Sequence, residues 1–167
     1  MRFAGSLPPS LALLLLAACG TANSQPALPK IDRLLVDKSE RVLIGYAKDR
    51  EVVRYTNIRL GDAPVGHKRF EGDEKTPEGD YSISGRNPKS AYHLSLRISY
   101  PNAADRAYAK ARGRSPGGDI FLHGQPNAWI GPPIARDWTD GCIALSNAQI
   151  KQLWDAVPDG TPIKIRT

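Results

Sequence analysis

The sequence predicts a mainly β domain, a mixed sandwich or barrel-like sheet with two short helices. Three observations carry this. Short runs rich in β-branched and aromatic residues recur between polar turns. Apolar residues at helical spacing occur in only two windows. Each window is bounded by residues that cap or break a helix.

Taken in order, residues 31–37 (IDRLLVD), 41–47 (RVLIGYA) and 51–58 (EVVRYTNI) read as a β-meander with polar turns at 38–40 and 48–50. Residues 61–68 (GDAPVGHK) have the glycines of a phosphate loop but lack Gly-Lys-Ser/Thr, and no helical pattern follows. They read as a loop, with His67 solvated. Residues 75–80 (KTPEGD) form a turn in which Pro77 presets φ and Gly79 supplies freedom, and a strand follows from Tyr81. Residues 91–98 (AYHLSLRI) alternate as a strand carrying His93. The first helical window, 102–112, has Asn102 as cap and Gly113 as stop. A short buried strand, 119–122, delivers His123 at its end. Residues 125–136, with Pro126, Gly131, Pro132 and Pro133, read as a stiff lid, on which Trp129 either stacks on a sugar or packs. The second helix, 146–156, starts with a Ser146/Gln149 capping box and buries Ile150, Leu153 and Trp154. Residues 161–166 close the domain as an edge-like strand, because Pro162 stands near its start.

The length of 167 residues suits one domain with a real core. The net charge is +6, but Lys and Arg are scattered with no basic run of five, so no nucleic-acid partner is expected. Of the two cysteines, Cys19 ends Leu16-Ala17-Ala18-Cys19 after the apolar run 11–18. That run is too short to span a bilayer and reads as a signal-peptide core. The four residues match the lipobox of bacterial lipoproteins, in which the Cys sulfur takes the lipid. Plain secretion with cleavage elsewhere is the alternative. The expected organisation is a signal peptide at 1–18, a lipid-anchored tether at 19–30 and a catalytic domain at 31–167. Gly20 is not Asp, which by resemblance to Gram-negative lipoproteins implies a place on the outer membrane, facing the periplasm.

The chemistry concentrates in residues 120–147, IFLHGQPNAWIGPPIARDWTDGCIALSN. A thiol attacks as thiolate, and an imidazole such as His123 can take the proton of Cys142 and return it to a leaving amine. Gly141 lets the chain turn sharply, so that the amides of Gly141 and Cys142 can converge on an oxyanion. On spacing alone, a buried structural Cys beside an unrelated loop His fits the same residues.

The His-Gly, the loop and Thr-Asp-Gly-Cys resemble the YkuD-type L,D-transpeptidase domain, whose signature is a His, a loop, then Ser/Thr-His-Gly-Cys. Upstream, GDEKTPEGDYSI at 72–83 is similar to the Thr-Pro-x-Gly segment of that family, in the right order. The resemblance covers roughly 30–167. It implies a Cys142 nucleophile and a His123 base acting on peptidoglycan stem peptides, with no metal or cofactor. The acceptor is an amine of another stem peptide, an envelope lipoprotein, or water. A hydrolase of the same fold and a non-catalytic peptidoglycan-binding lipoprotein are the rivals. A Cys peptidase of the NlpC/P60 kind needs a His after its Cys, and none follows Cys142.

Two positions depart from the family pattern. Asp140 stands where a His is usual, and is expected either to orient His123 as a triad acid does or to form the turn. Ala144 stands where an Arg is usual. Another Arg is then expected to hold the substrate carboxylate, Arg136 first and Arg86 second. The resemblance also sets the strand of His93 beside the groove, as a lining residue.

Overall fold

The computed structural model describes Met1 and residues 27–167. The expected signal peptide and most of the expected tether, Cys19 included, lie outside the described residues. Among the described residues, no helix is long and apolar enough to cross a membrane.

Eight strands form one curled sheet. β1 (Arg33–Asp37), β2 (Val42–Ala47) and β3 (Arg50–Thr56) make the expected antiparallel meander, with Leu35 opposite Ile44 and Ile44 opposite Arg54. β4 (Gly79–Asn87), β5 (Ser95–Ile98), β6 (Phe121–His123), β7 (Ile143–Ala144) and β8 (Pro162–Arg166) complete it in the order β3-β2-β1-β8-β4-β5-β6-β7. Alternation decides the buried face. Leu34 and Val36 of β1, Ile163 and Ile165 of β8, and Leu96, Leu122 and Ile143 point into one core.

β8 corrects the expectation of an edge. It runs parallel to β1, Val36 opposite Ile165, and antiparallel to β4, Tyr81 opposite Ile163. Pro162 is tolerated because it is the first residue of the strand, where a missing N–H costs least. The strand expected at 91–98 is also shorter. Its first half turns, with His93 at φ 66° and its N–H donated to Asn127 Oδ1 at 2.8 Å, so pairing begins only at Ser95.

Both helices begin with full capping boxes. α1 (Ala103–Lys110) starts from Asn102 with Asp105, and α2 (Asn147–Ala156) from Ser146 with Gln149. α2 buries Ile150, Leu153 and Ala156, while Trp154 is half-buried against the core. Arg86 closes the far end of α2. Its guanidinium donates to the carbonyls of Trp154 and Val157 and meets Asp159 at 3.2 Å.

A buried cation holds the turn at 75–80. Lys38 is 2 % exposed, and its three ammonium protons go to Gly66 O at 2.6 Å, Thr76 O at 3.0 Å and Glu78 Oε1 at 2.8 Å. Burial depresses its pKa, and Glu78 opposes this. His67 is part of the same packing, not a solvated loop residue. Its Nδ1 accepts from the Glu78 amide at 2.8 Å and its Nε2 donates to Asp105 at 3.0 Å. Tyr81 reaches the other oxygen of Asp105 at 2.9 Å, so one carboxylate ties sheet, helix and turn.

Lys38→Met removes the donor from two carbonyls and a carboxylate at once. The expected loss is about 2–4 kcal/mol of unfolding free energy, read by urea denaturation. A loss below about 1 kcal/mol would show that water replaces the ammonium without cost.

Candidate active site

β6 and β7 run parallel, with His123 beside Ala144, and Cys142 enters β7 from the loop before it. The side chains of His123 and Cys142 both face one groove of about 640 Å³, with Tyr92, Trp138, Thr139 and Asp140 also on its walls. The expected pair is therefore brought to one cavity. The loop before Cys142 is stiffly held. Thr139 Oγ1 accepts from the Gly141 amide at 3.2 Å and donates to Cys142 O at 2.8 Å. The amides of Trp138 and Thr139 both reach Leu60 O at 3.2 Å. Asp137 accepts from the Leu60 amide at 2.9 Å and pairs with Arg41 at 2.7 Å. Gly141 has φ 127°, and a Cβ there would stand 2.5 Å from Lys75 O, so only glycine fits.

The tautomer of His123 follows from one bond. Nδ1 lies 2.7 Å from Gly124 O, and a carbonyl only accepts, so Nδ1 carries the proton and Nε2 is left as acceptor. The ring is buried and walled by aromatics, with Tyr92 at 4.6 Å and Trp138 at 5.5 Å between centroids. Burial lowers the pKa of His123, partly opposed by the Gly124 carbonyl. The Cys142 thiol is pushed up to about 11, chiefly by burial. The Phe121 amide pulls it down, and the Asp140 carboxylate pushes it further up. Its Sγ–H is directed at Asp119 O, at 3.5 Å. Both shifts favour the uncharged forms, so the resting pair is thiol and neutral imidazole.

Several expected site residues fall elsewhere. Asp140 is exposed on the groove wall, and the orienting place at His123 Nδ1 belongs to the Gly124 carbonyl. A carboxylate so near the sulfur opposes the thiolate, which a triad acid would not do. Arg86 is spent on the end of α2. Arg136 and Trp129 line a separate open cleft, with Trp129 Nε1 donating to Pro132 O at 2.8 Å, and no residue of the expected lid at 125–136 is on the lining of the groove. His93 is exposed in the turn before β5, outside the groove lining. The Gly141 amide of the expected oxyanion pair is taken by Thr139, which leaves the Cys142 amide. The sequence assigns no role to Tyr92, Trp138, Thr139 or the Gly124 carbonyl, although all four stand at the site. Only the aromatic residue beside Thr-Asp-Gly-Cys offered a local signal.

The electrostatics fix a titration. Thiolate absorbance of the free protein is expected to rise with an apparent pKa well above the ordinary ~8.5 of a thiol, toward about 11. Because the His123 pKa is lowered, the imidazole stays neutral through pH 7 and gains a proton only below its ordinary ~6.5. The acid limb of any His123-dependent rate is therefore expected below that value. Thiolate already present at pH 6 would mean a charged resting pair.

Residues 31–165 match the family model of the L,D-transpeptidase catalytic domain, YkuD. The Escherichia coli (strain K12) protein named "Putative L,D-transpeptidase YafK" is 30% identical over 125 residues, covering 72% of this chain and 44% of that protein. The helical cell shape determining protein Pgp2 from Campylobacter jejuni aligns over 84% of this chain and 50% of its own, at 27% identity and TM-score 0.63. Bd1075 from Bdellovibrio bacteriovorus aligns over 84% of this chain and 52% of its own, at 28% identity and TM-score 0.58. The chain thus spans about half the length of these relatives. A parallel strand pair carrying His123 and Cys142 to one groove, and a family match over nearly the whole described domain, give one conclusion: this chain belongs to the YkuD family of L,D-transpeptidase catalytic domains.

Proposed function

We propose that the chain is a cysteine-dependent L,D-transpeptidase acting on peptidoglycan stem peptides. The observation that carries this is His123, fixed by Gly124 O in the tautomer that leaves Nε2 basic, on the strand beside Cys142. In this reading the Cys142 thiol attacks the carbonyl of a dibasic residue as its proton passes to His123 Nε2. The S–C bond forms, and the Cys142 amide meets the oxyanion. Collapse breaks the C–N bond, and the imidazolium gives its proton to the departing amine of the D-amino acid. An acceptor amine then attacks the thioester, His123 takes the amine proton, and the thiol is restored. The imidazolium exists only in passing. Tyr92, tilted by 36° with its ring centroid at 4.6 Å, and the Gly124 carbonyl stand beside it as stabilising groups.

A second reading, hydrolysis or transfer at an internal bond, is favoured by the charge of the groove. Among the described residues, Asp119, paired with Arg97 at 2.7 Å, and Asp140 are the charged residues on its lining, and neither attracts a terminal carboxylate. An amine of a stem peptide or of an envelope lipoprotein suits that wall better. The sequence at 16–19 supports a lipid on Cys19, and Gly20 after it supports a periplasm-facing place on the outer membrane.

Cys142→Ala is expected to abolish turnover of muropeptides, and intact mass should show one adduct on the wild type after exposure to stem peptide or a carbapenem. His123→Ala is expected to slow acylation by about 10²–10⁴. Normal turnover by Cys142→Ala would remove the mechanism. Cys19→Ser should lose labelling by a fatty-acid probe and move to the soluble envelope fraction; unchanged membrane association would exclude an anchor at this residue.

A further inference from the structure

The groove beside the thiol has no cation on its walls, yet an uncompensated one stands on the same face of the sheet. Arg59 lies in the segment after β3 and is bound to Ala144 by two backbone bonds, Arg59 N–H to Ala144 O at 2.9 Å and Ala144 N–H to Arg59 O at 2.8 Å. Residues opposed in this way project to one face. Ala144 is two residues from Cys142, so its side chain shares the face of the thiol. Arg59 therefore rises from that same face, one chain further out. The methyl of Ala144 leaves its guanidinium room.

The guanidinium opens on a cavity of about 270 Å³ under the lid, lined also by Asn57, Gln125, Ser146 and Gln149. No Asp or Glu is among the lining residues. Arg59 Nε donates to the lid carbonyl of Ile134 at 3.2 Å, and among the described residues its remaining N–H groups meet no protein acceptor. The start of α2 is not what invites a ligand here, because Ser146 and Gln149 already satisfy each other in the capping box. The guanidinium is the invitation. A half-buried Arg with its planar fork unmatched suits a carboxylate bound through two hydrogen bonds.

We propose that this cavity is a carboxylate-binding site and that Arg59 holds the C-terminal carboxylate of the bound stem peptide. The proposal rests on the function read above. It places the anion in a different cavity from Asp119 and Asp140 of the groove, so that the peptide lies with opposite charges toward opposite ends.

The test uses the full chain with tetrapeptide donors bearing a free or an amidated C-terminal carboxylate. Amidation is expected to lower kcat/KM of the wild type by about 10- to 150-fold, the worth of a charge-assisted hydrogen-bonded pair. Arg59→Gln should lose the same factor on the free peptide and little on the amidated one. Arg59→Lys should recover part of the loss, since it keeps the charge without the fork. The proposal is overturned if the wild type ignores amidation. It is equally overturned if Arg59→Gln slows both peptides alike, because then Arg59 only holds Ile134 and the lid. Calorimetric binding of both peptides to Cys142→Ala, with and without Arg59→Gln, repeats the comparison without turnover. If no turnover occurs in the wild type, the function read above fails, and this binding comparison still decides Arg59. Should Arg59→Gln not fold, the amidated peptide and Arg59→Lys decide it.

Discussion

Three chain segments meet backbone to backbone beneath Cys142, and the rest of the site depends on that contact. Gly61 packs so closely that a Cβ would overlap the Glu74 carbonyl, and the same Cβ would stand 3.1 Å from Gly141 Cα. Gly141 in turn rests on Lys75 O. The polar groups at this junction have partners: Gly61 N–H reaches Thr76 Oγ1 at 3.1 Å, and Glu74 O receives Ala63 N–H at 3.1 Å. Such a contact has no rotamers to relax through, so it places the sulfur with the rigidity of the main chain. Lys38 sits below as the anchor of the middle segment, which gives a residue far from the chemistry a share in the geometry.

The resting state follows from burial more than from any partner. A desolvated thiol and a desolvated imidazole each prefer neutrality, and the carboxylate of Asp140 adds to that preference on the sulfur side. A protonated thiol is a poor target for oxidants and stray electrophiles. The arrangement thus keeps Cys142 a protonated thiol in the free protein.

Much of this was legible in the sequence because it is local. The capping boxes at Asn102 and Ser146 depend on residues three apart, and the meander depends on alternation within a few residues. That His123 and Cys142 share one groove follows from a linear pattern. What was not legible depends on distant partners. Pro162 argued locally for an edge, but Val36 and Tyr81, far away in the chain, claimed both sides of β8. His67 looked solvated because nothing in Gly61–Lys68 announces Asp105 or the Glu78 amide. Arg136 looked right by nearness in sequence to Cys142. Arg59, more than eighty residues away, is the one that the ladder sets beside Ala144. Of the two roles open to Asp140, orienting the histidine or forming the turn, the first depended on a partner at His123 Nδ1, where a backbone carbonyl stands.

The place of β8 also governs how the sheet is assembled. The meander β1–β3 and the strands β4–β7 adjoin each other along the sheet only through β8, which follows every other element in the chain. Neither half can be joined to the other along this seam until that last strand inserts between them. The pairings it makes have long sequence separation, so most of the closure entropy falls on the final step. Until then two sheet edges, β1 and β4, stand open to any other strand that reaches them. The step that completes the sheet is thus the one that removes its most exposed route to misassociation.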